Sequence, residues 1–137
     1  LEIHSNTGRI HFWSIHEKNE SDGFVGMVGL GDELVLKETD WNLGYWVRPQ
    51  YRRRGIAFRA VSEIFEWLIS KDDELLIEVT VHPHNEAGLS TSHAICRKWG
   101  GVAVSPDLHP IDIDNRTVLH HIHVIPLPRD DGVDETE

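Results

Sequence analysis

The 137-residue sequence contains a single cysteine, Cys96, so no internal disulfide can staple it and its stability must come from an apolar core. It has no apolar run near the roughly 18 residues needed to cross a bilayer, and its first residues, LEIHSNTGR, lack the charged-then-apolar order of a secretory leader. The expectation is a cytoplasmic protein with no membrane partner. Basic residues are also scarce: 13 Lys and Arg against 23 Asp and Glu give a net charge of −10, which sets the surface against nucleic acid and in favour of cationic partners. Low-complexity stretches and internal repeats are absent too. A chain of this length buries roughly two-thirds of its unfolded surface, enough for one core. Residues 1–137 therefore read as a single domain, with the acidic tail RDDGVDETE frayed over 130–137.

Periodicity divides what is present. Residues 9–17 and 23–30 are rich in strand formers on either side of the polar KNESDG, which predicts a hairpin. WNLGYWVRP reads as a strand ended by Pro49. From Gly55 onward the period changes. Ala57, Ala60, Val61, Ile64, Phe65 and Leu68 fall on one helical face, opposite Arg59, Ser62, Glu63 and Glu66. LLIEVTVH alternates as a strand, residues 86–99 form a second helix ended by Gly100 and Gly101, and further strands are expected around 101–105 and 117–125. The order β-β-β-α-β-α-β-β predicts an α/β (α+β) domain.

Between the third strand and the first helix lies YWVRPQYRRRGIAFRA, where three consecutive arginines interrupt an otherwise acidic chain. The first amides of a helix lack internal partners and carry partial positive charge, which suits a phosphate or pyrophosphate. Gly55 permits close approach of the backbone, and Arg52, Arg53 and Arg54 can add charge-assisted hydrogen bonds. A solvated arginine cluster is the plainer reading of the same residues. Neither GxxxxGK[ST] nor GxGxxG is present, so the loop is not a standard nucleotide device.

Arg52-Arg53-Arg54-Gly55-Ile56-Ala57 resembles the acetyl-CoA signature of the GNAT acyltransferase superfamily, (Gln/Arg)-x-x-Gly-x-(Gly/Ala). GYWVRPQYR and VHPHNEAGLSTSHAICRKWGG are similar to segments of its ribosomal-protein N-acetyltransferase-like branch, and the likeness runs over about residues 10–125. The resemblance implies a mixed, mostly antiparallel sheet with a β-α-β acyl-CoA-binding core. It implies that the strand at 44–48 splays from the one at 77–82, that pantetheine pairs along the backbone of Trp46, Val47 and Arg48, and that the amides of residues 52–57, Ile56 and Ala57 among them, hold the pyrophosphate. Asn85 would touch the pantetheine arm, although it stands farther from Gly100 than the family's asparagine does from its glycine, and Leu89 holds the usual place. The sequence begins near the family's second strand, so the usual first strand and two helices are not found in it, which leaves either a fragment or a member with a reduced acceptor side.

The implied activity is N-acetyl transfer from acetyl-CoA to a primary amine of a small molecule or a protein N-terminus. A free alkyl amine has a pKa near 10, so a base is useful, and a tetrahedral oxyanion needs a donor. The resemblance assigns that donor to the Val47 amide. Where many relatives carry a catalytic glutamate, this chain has Asn42, which leaves Glu78 and His82 on the next strand as candidate bases. No tyrosine follows Tyr51, so Tyr45, Ser92 or Cys96 is left to protonate the thiolate, and catalysis by proximity alone stays open. The alternatives are an acyl-CoA-binding module without turnover, and a metal protein built on His121 and His123 with His109 or His16 as a third ligand. No resident metal is expected. A truncated acceptor side would expose apolar strand surface, so the expected assembly is a homodimer.

Overall fold

The computed structural model describes residues 1–7, 10–18, 23–71, 74–104 and 108–129. Eight strands and two helices follow in the order β1 (Glu2–Thr7), β2 (His11–His16), β3 (Phe24–Gly31), β4 (Trp41–Val47), α1 (Ile56–Lys71), β5 (Leu75–Val81), α2 (Glu86–Trp99), β6 (Val102–Ala103), β7 (His109–Ile113) and β8 (Arg116–Leu127). The sheet runs β1-β2-β3-β4-β5-β8-β6, with β7 added on β8. Every pairing is antiparallel except that of β4 with β5.

Two strands were not expected. Residues 2–7 pair with β2 through Glu2↔His16 to Thr7↔His11, although their polar composition carries little strand signal. Residues 109–113 form a hairpin with β8 around Asp114 and Asn115, whose φ values of 48° and 63° are those of a two-residue turn favoured by these side chains. The strand expected at 117–125 is accordingly longer, while the one expected at 101–105 shrinks to two residues. The tail at 130–137 lies outside the described residues.

Both helices cover one face of the sheet. The buried stripe of α1, including Ala60, Val61, Ile64, Phe65 and Leu68, matches the face read from the sequence and packs on Val28, Leu43, Ile77 and Ile125. Phe65 meets Trp99 of α2 edge-on at 5.4 Å, and the Trp99 indole donates to Ser62 Oγ at 3.3 Å, so the polar end of the ring is satisfied inside the core. Large side chains buried in this way each contribute about 1.5–3 kcal/mol. On the opposite face Phe12, Met27 and Trp46 remain exposed. Among the described residues no helix is long and apolar enough to cross a membrane.

Candidate functional site

β4 and β5 pair for only three residues, Trp41↔Ile77, Asn42↔Glu78 and Leu43↔Val79. Beyond them each strand follows its other neighbour. The Arg48 amide donates to the Val25 carbonyl of β3 at 2.8 Å, and β5 stays on β8 as far as Val81↔His121. The two strands therefore part from Gly44 onward, as the splay implied by the sequence required. Because backbone polarity alternates along a strand, the residues whose N–H and C=O face the gap are Tyr45 and Val47, whereas Trp46 and Arg48 face β3. Gly26 supports this register: a Cβ there would run into the Trp46 carbonyl oxygen.

This narrows the expected pantetheine contacts. Val47 presents its backbone to the gap, with its carbonyl accepting from Arg52 Nε at 2.9 Å. Arg48 does not serve as expected, since its amide is engaged by Val25 and its guanidinium donates to the Phe24 carbonyl at 3.1 Å. Trp46 is among the lining residues, but its N–H and C=O face β3, and its ring, on the uncovered face, lies 6.4 Å from that of Phe24.

The gap widens into a cleft of about 650 Å³ between the N-terminal ends of α1 and α2. From the first side come Tyr51, Arg52, Arg53, Gly55, Ile56, Ala57 and Phe58; from the second come Asn85 to Gly88, Ser90, Thr91 and Ala94. The Arg59 amide is the first to close the helical ladder of α1, on the Gly55 carbonyl at 3.0 Å, which leaves the amides of Ile56 to Phe58 without helical partners. Gly55 has φ of 69°, a left-handed backbone that glycine adopts without strain, and nothing lies within 4 Å of where its Cβ would be. Two helix N-termini and two arginines thus converge on one cavity, with Glu86 the single carboxylate among its lining. Arg54 differs from its neighbours, lying over the Tyr51 ring at 5.4 Å and outside the cavity lining.

Asn85 lines the cleft and caps α2, its Oδ1 accepting from the Gly88 amide at 2.9 Å. A Cβ at Gly88 would press on the Asn85 carboxamide, which would have to turn aside.

The candidate bases do not meet the cleft. Glu78 is 0% exposed and its carboxylate accepts from the Val35 amide (2.8 Å), the Leu36 amide (2.8 Å), Thr39 Oγ1 (2.8 Å) and Asn42 Nδ2 (2.6 Å). It ties the β3–β4 loop to the sheet, with both carboxylate oxygens committed to partners within the fold. His82 is exposed, but its Nδ1 accepts from the His84 amide at 3.0 Å, so the neutral ring carries its hydrogen on Nε2 and has no free lone pair. Neither residue lines the cavity.

The candidate acids do converge. The Tyr45 hydroxyl donates to the Gly88 carbonyl at 2.7 Å, and burial pushes its pKa well above the ordinary tyrosine value. Ser92 is fully buried behind it, 2.9 Å from His123 Nδ1. Burial likewise raises the pKa of Cys96. His123 is 4% exposed, and burial, reinforced by His93 and His121, lowers its pKa. Sequence reasoning missed His123 here because its partner lies 31 residues away on α2. His121 and His123 do share a face of β8, but His109 pairs across from His120, while His16 lies on β2. Among the described residues no group of three or more His, Cys, Asp or Glu side chains is arranged to hold a metal.

The family described as "Acetyltransferase (GNAT) domain" matches residues 2–101. Among solved structures, the ribosomal-protein-S5-alanine acetyltransferase of Vibrio fischeri superposes with a TM-score of 0.63 at 20% identity, covering 90% of this chain and 63% of that one. NAA60 of Arabidopsis thaliana, solved with a bisubstrate analogue, gives 0.63 at 16% identity over 89% and 78%. Spermidine N-acetyltransferase of Vibrio cholerae, with CoA and spermine, gives 0.65 at 12% over 88% and 68%. No curated protein matches the sequence significantly.

Proposed function

Since the chain belongs to the GNAT acetyltransferase family, we propose that its cleft holds acetyl-CoA and passes the acetyl group directly to a primary amine of a small molecule or a protein N-terminus. The observation that carries this reading is the parting of β4 from β5, which leaves the Val47 amide facing a cavity whose far end is lined by Arg52, Arg53 and two helix N-termini. The amides of Ile56, Ala57 and Phe58 would hold the pyrophosphate, with Arg52 and Arg53 adding charge. The extended pantetheine would lie where β5 has left β4, meeting Tyr45 and Val47 as an added strand does. The Val47 N–H then stands beside the thioester carbonyl and stabilises the oxyanion of the tetrahedral intermediate.

The acceptor would approach from the uncovered face past Trp46. With Glu78 and His82 both engaged elsewhere, deprotonation falls to solvent. An α-amino group, whose pKa is about 7.7–8.0, is then a better acceptor near neutral pH than a lysine at about 10.4, and alignment of the two substrates supplies much of the rate. Tyr45, kept protonated by its surroundings, is the proton donor to the leaving thiolate. Cytoplasmic location and assembly as a homodimer belong to the same proposal, the latter removed by a monomeric mass in light scattering.

Calorimetric titration with acetyl-CoA tests the donor site: binding in the micromolar range by the wild type and its loss in Gly55→Glu are expected, and a wild type that does not bind would sink the reading. Mass-spectrometric detection of acetylated peptides then tests transfer. The engagement of Glu78 and His82 also favours a second reading, an acyl-CoA-binding module without turnover, which binding without transfer to any amine would select.

A further inference from the structure

The alternation of β3 and β4 buries Val28, Leu30 and Leu43 beneath the helices, so Gly29 and Gly44, which pair with each other, open on the face that carries no helix. A glycine inside a strand weakens it and leaves room for something to approach closely. On one side of this pair, Phe12 lies across from Gly29 with its ring leaning over it: a Cβ at Gly29 would stand 3.2 Å from Phe12 Cε1. Two residues along the strands Met27 pairs with Trp46, both part-exposed, and the Trp46 ring sits 6.4 Å from that of Phe24, toward the end of β3 remote from Gly29. Gly44 is accordingly exposed, with nothing within 4 Å of where its Cβ would be. The result is a trough floored by two glycines and walled by Phe12, Met27 and Trp46. It opens at Gly44, where β4 parts from β5, and Trp46 belongs to both the trough and the cleft.

We propose that this trough receives the first side chain of a polypeptide acceptor, so that the protein acts on N-termini beginning with a large apolar residue and Gly44 sets the size it admits. The proposal rests on the acyl-transfer reading and names the acceptor of that same site. Val47, whose amide marks the thioester in that reading, is three residues from Gly44, roughly 10 Å along the strand. An α-amino group attacking there can extend a methionine, leucine or phenylalanine side chain over Gly44, whereas glycine or alanine leaves the trough empty. The side chains that β2, β3 and β4 turn to this face, Phe12, Ser14, His16, Met27, Asn42 and Trp46, include no carboxylate. Glu78 on β5 is sealed by its four donors, Glu2 lies across from His16 on β1, three strands from β4, and Asp32 follows only after β3 has ended at Gly31. A polyamine, whose further ammonium groups need anionic partners, finds none over the two glycines. The net charge of −10 that favours cationic partners therefore acts elsewhere on the surface.

Acetyl transfer to short peptides that differ only in their first residue tests this, followed by mass spectrometry with spermidine as a further acceptor. For the wild type, kcat/KM should be about tenfold higher with methionine, leucine or phenylalanine first than with glycine or alanine, and lowest for spermidine. Gly44→Val places its side chain in open space and suits a strand, so the variant should fold, as its melting temperature will show. It should bring the ratio of the methionine to the alanine peptide down to about one, and Phe12→Ala, which removes a wall, should lower the same ratio. A wild type that prefers spermidine or takes all the peptides equally overturns the trough and leaves acyl transfer standing, and so does Gly44→Val with wild-type selectivity. A wild type that binds acetyl-CoA and transfers to no amine overturns the trough together with the reading beneath it.

Discussion

Asn42 Nδ2 donates to Glu78 Oε2 at 2.6 Å across the short parallel pairing of β4 and β5, so Asn42 is a donor to a carboxylate buried on the next strand. Two backbone amides and Thr39 complete the set around Glu78. Replacing Glu78 by Gln puts an amide group against these donors and leaves at least one buried group unpaired. The expected outcome is a loss of about 2–4 kcal/mol in urea unfolding. A variant of wild-type stability with a reduced rate would instead return Glu78 to the role of base.

The three arginines should separate by geometry. Arg52 and Arg53 line the cleft, and Arg54 rests on Tyr51. Arg52→Ala or Arg53→Ala should weaken acetyl-CoA binding about tenfold by calorimetry, and Arg54→Ala about twofold. Arg53 also has φ of 66°, so Arg53→Gly should be about 1 kcal/mol more stable than Arg53→Ala while binding equally weakly.

Asn85 and Gly88 form one device at the start of α2. Asn85→Ala removes the cap and should cost about 1 kcal/mol. Gly88→Ala gains about as much from helix propensity as it loses by displacing Asn85, so stability should barely change. Both variants should weaken donor binding, and unaltered affinity in both would show that the carboxamide has no part in the cleft.

Stability should depend on pH through His123. Its folded pKa is lowered, so the neutral ring is favoured in the native state and the unfolded chain binds more protons at mildly acid pH. The contribution is fully present above the unfolded value of about 6.5 and is lost as pH falls through the lower folded value. Melting temperature should therefore drop between pH 7 and 5, and less steeply in His123→Gln.

The basic loop and the helix behind it were legible because their chemistry is local. Gly55, the arginines and the amides that begin α1 are neighbours in sequence, and the apolar stripe from Ala57 to Leu68 shows its period without help from the rest of the chain. The same locality marked the end of α2 at Gly100, which has φ of 78°.

What the sequence by itself determined was which segments are strands and helices around the β4–α1 loop, and that the loop between them is basic and carries Gly55. Tertiary structure alone decided the fate of the titratable groups. Glu78 lies on β5 and His82 just beyond its end, yet Glu78 is saturated by donors from residues 35 to 42 and His82 Nδ1 is taken by the amide of His84. Ser92 met His123 only when α2 packed against β8, and the Val47 amide was freed only because β4 and β5 each kept to its outer neighbour. The hydrogen-bond capacity of Glu78 is exhausted by partners 36 to 43 residues away in the chain, and no local pattern records which partner arrives first.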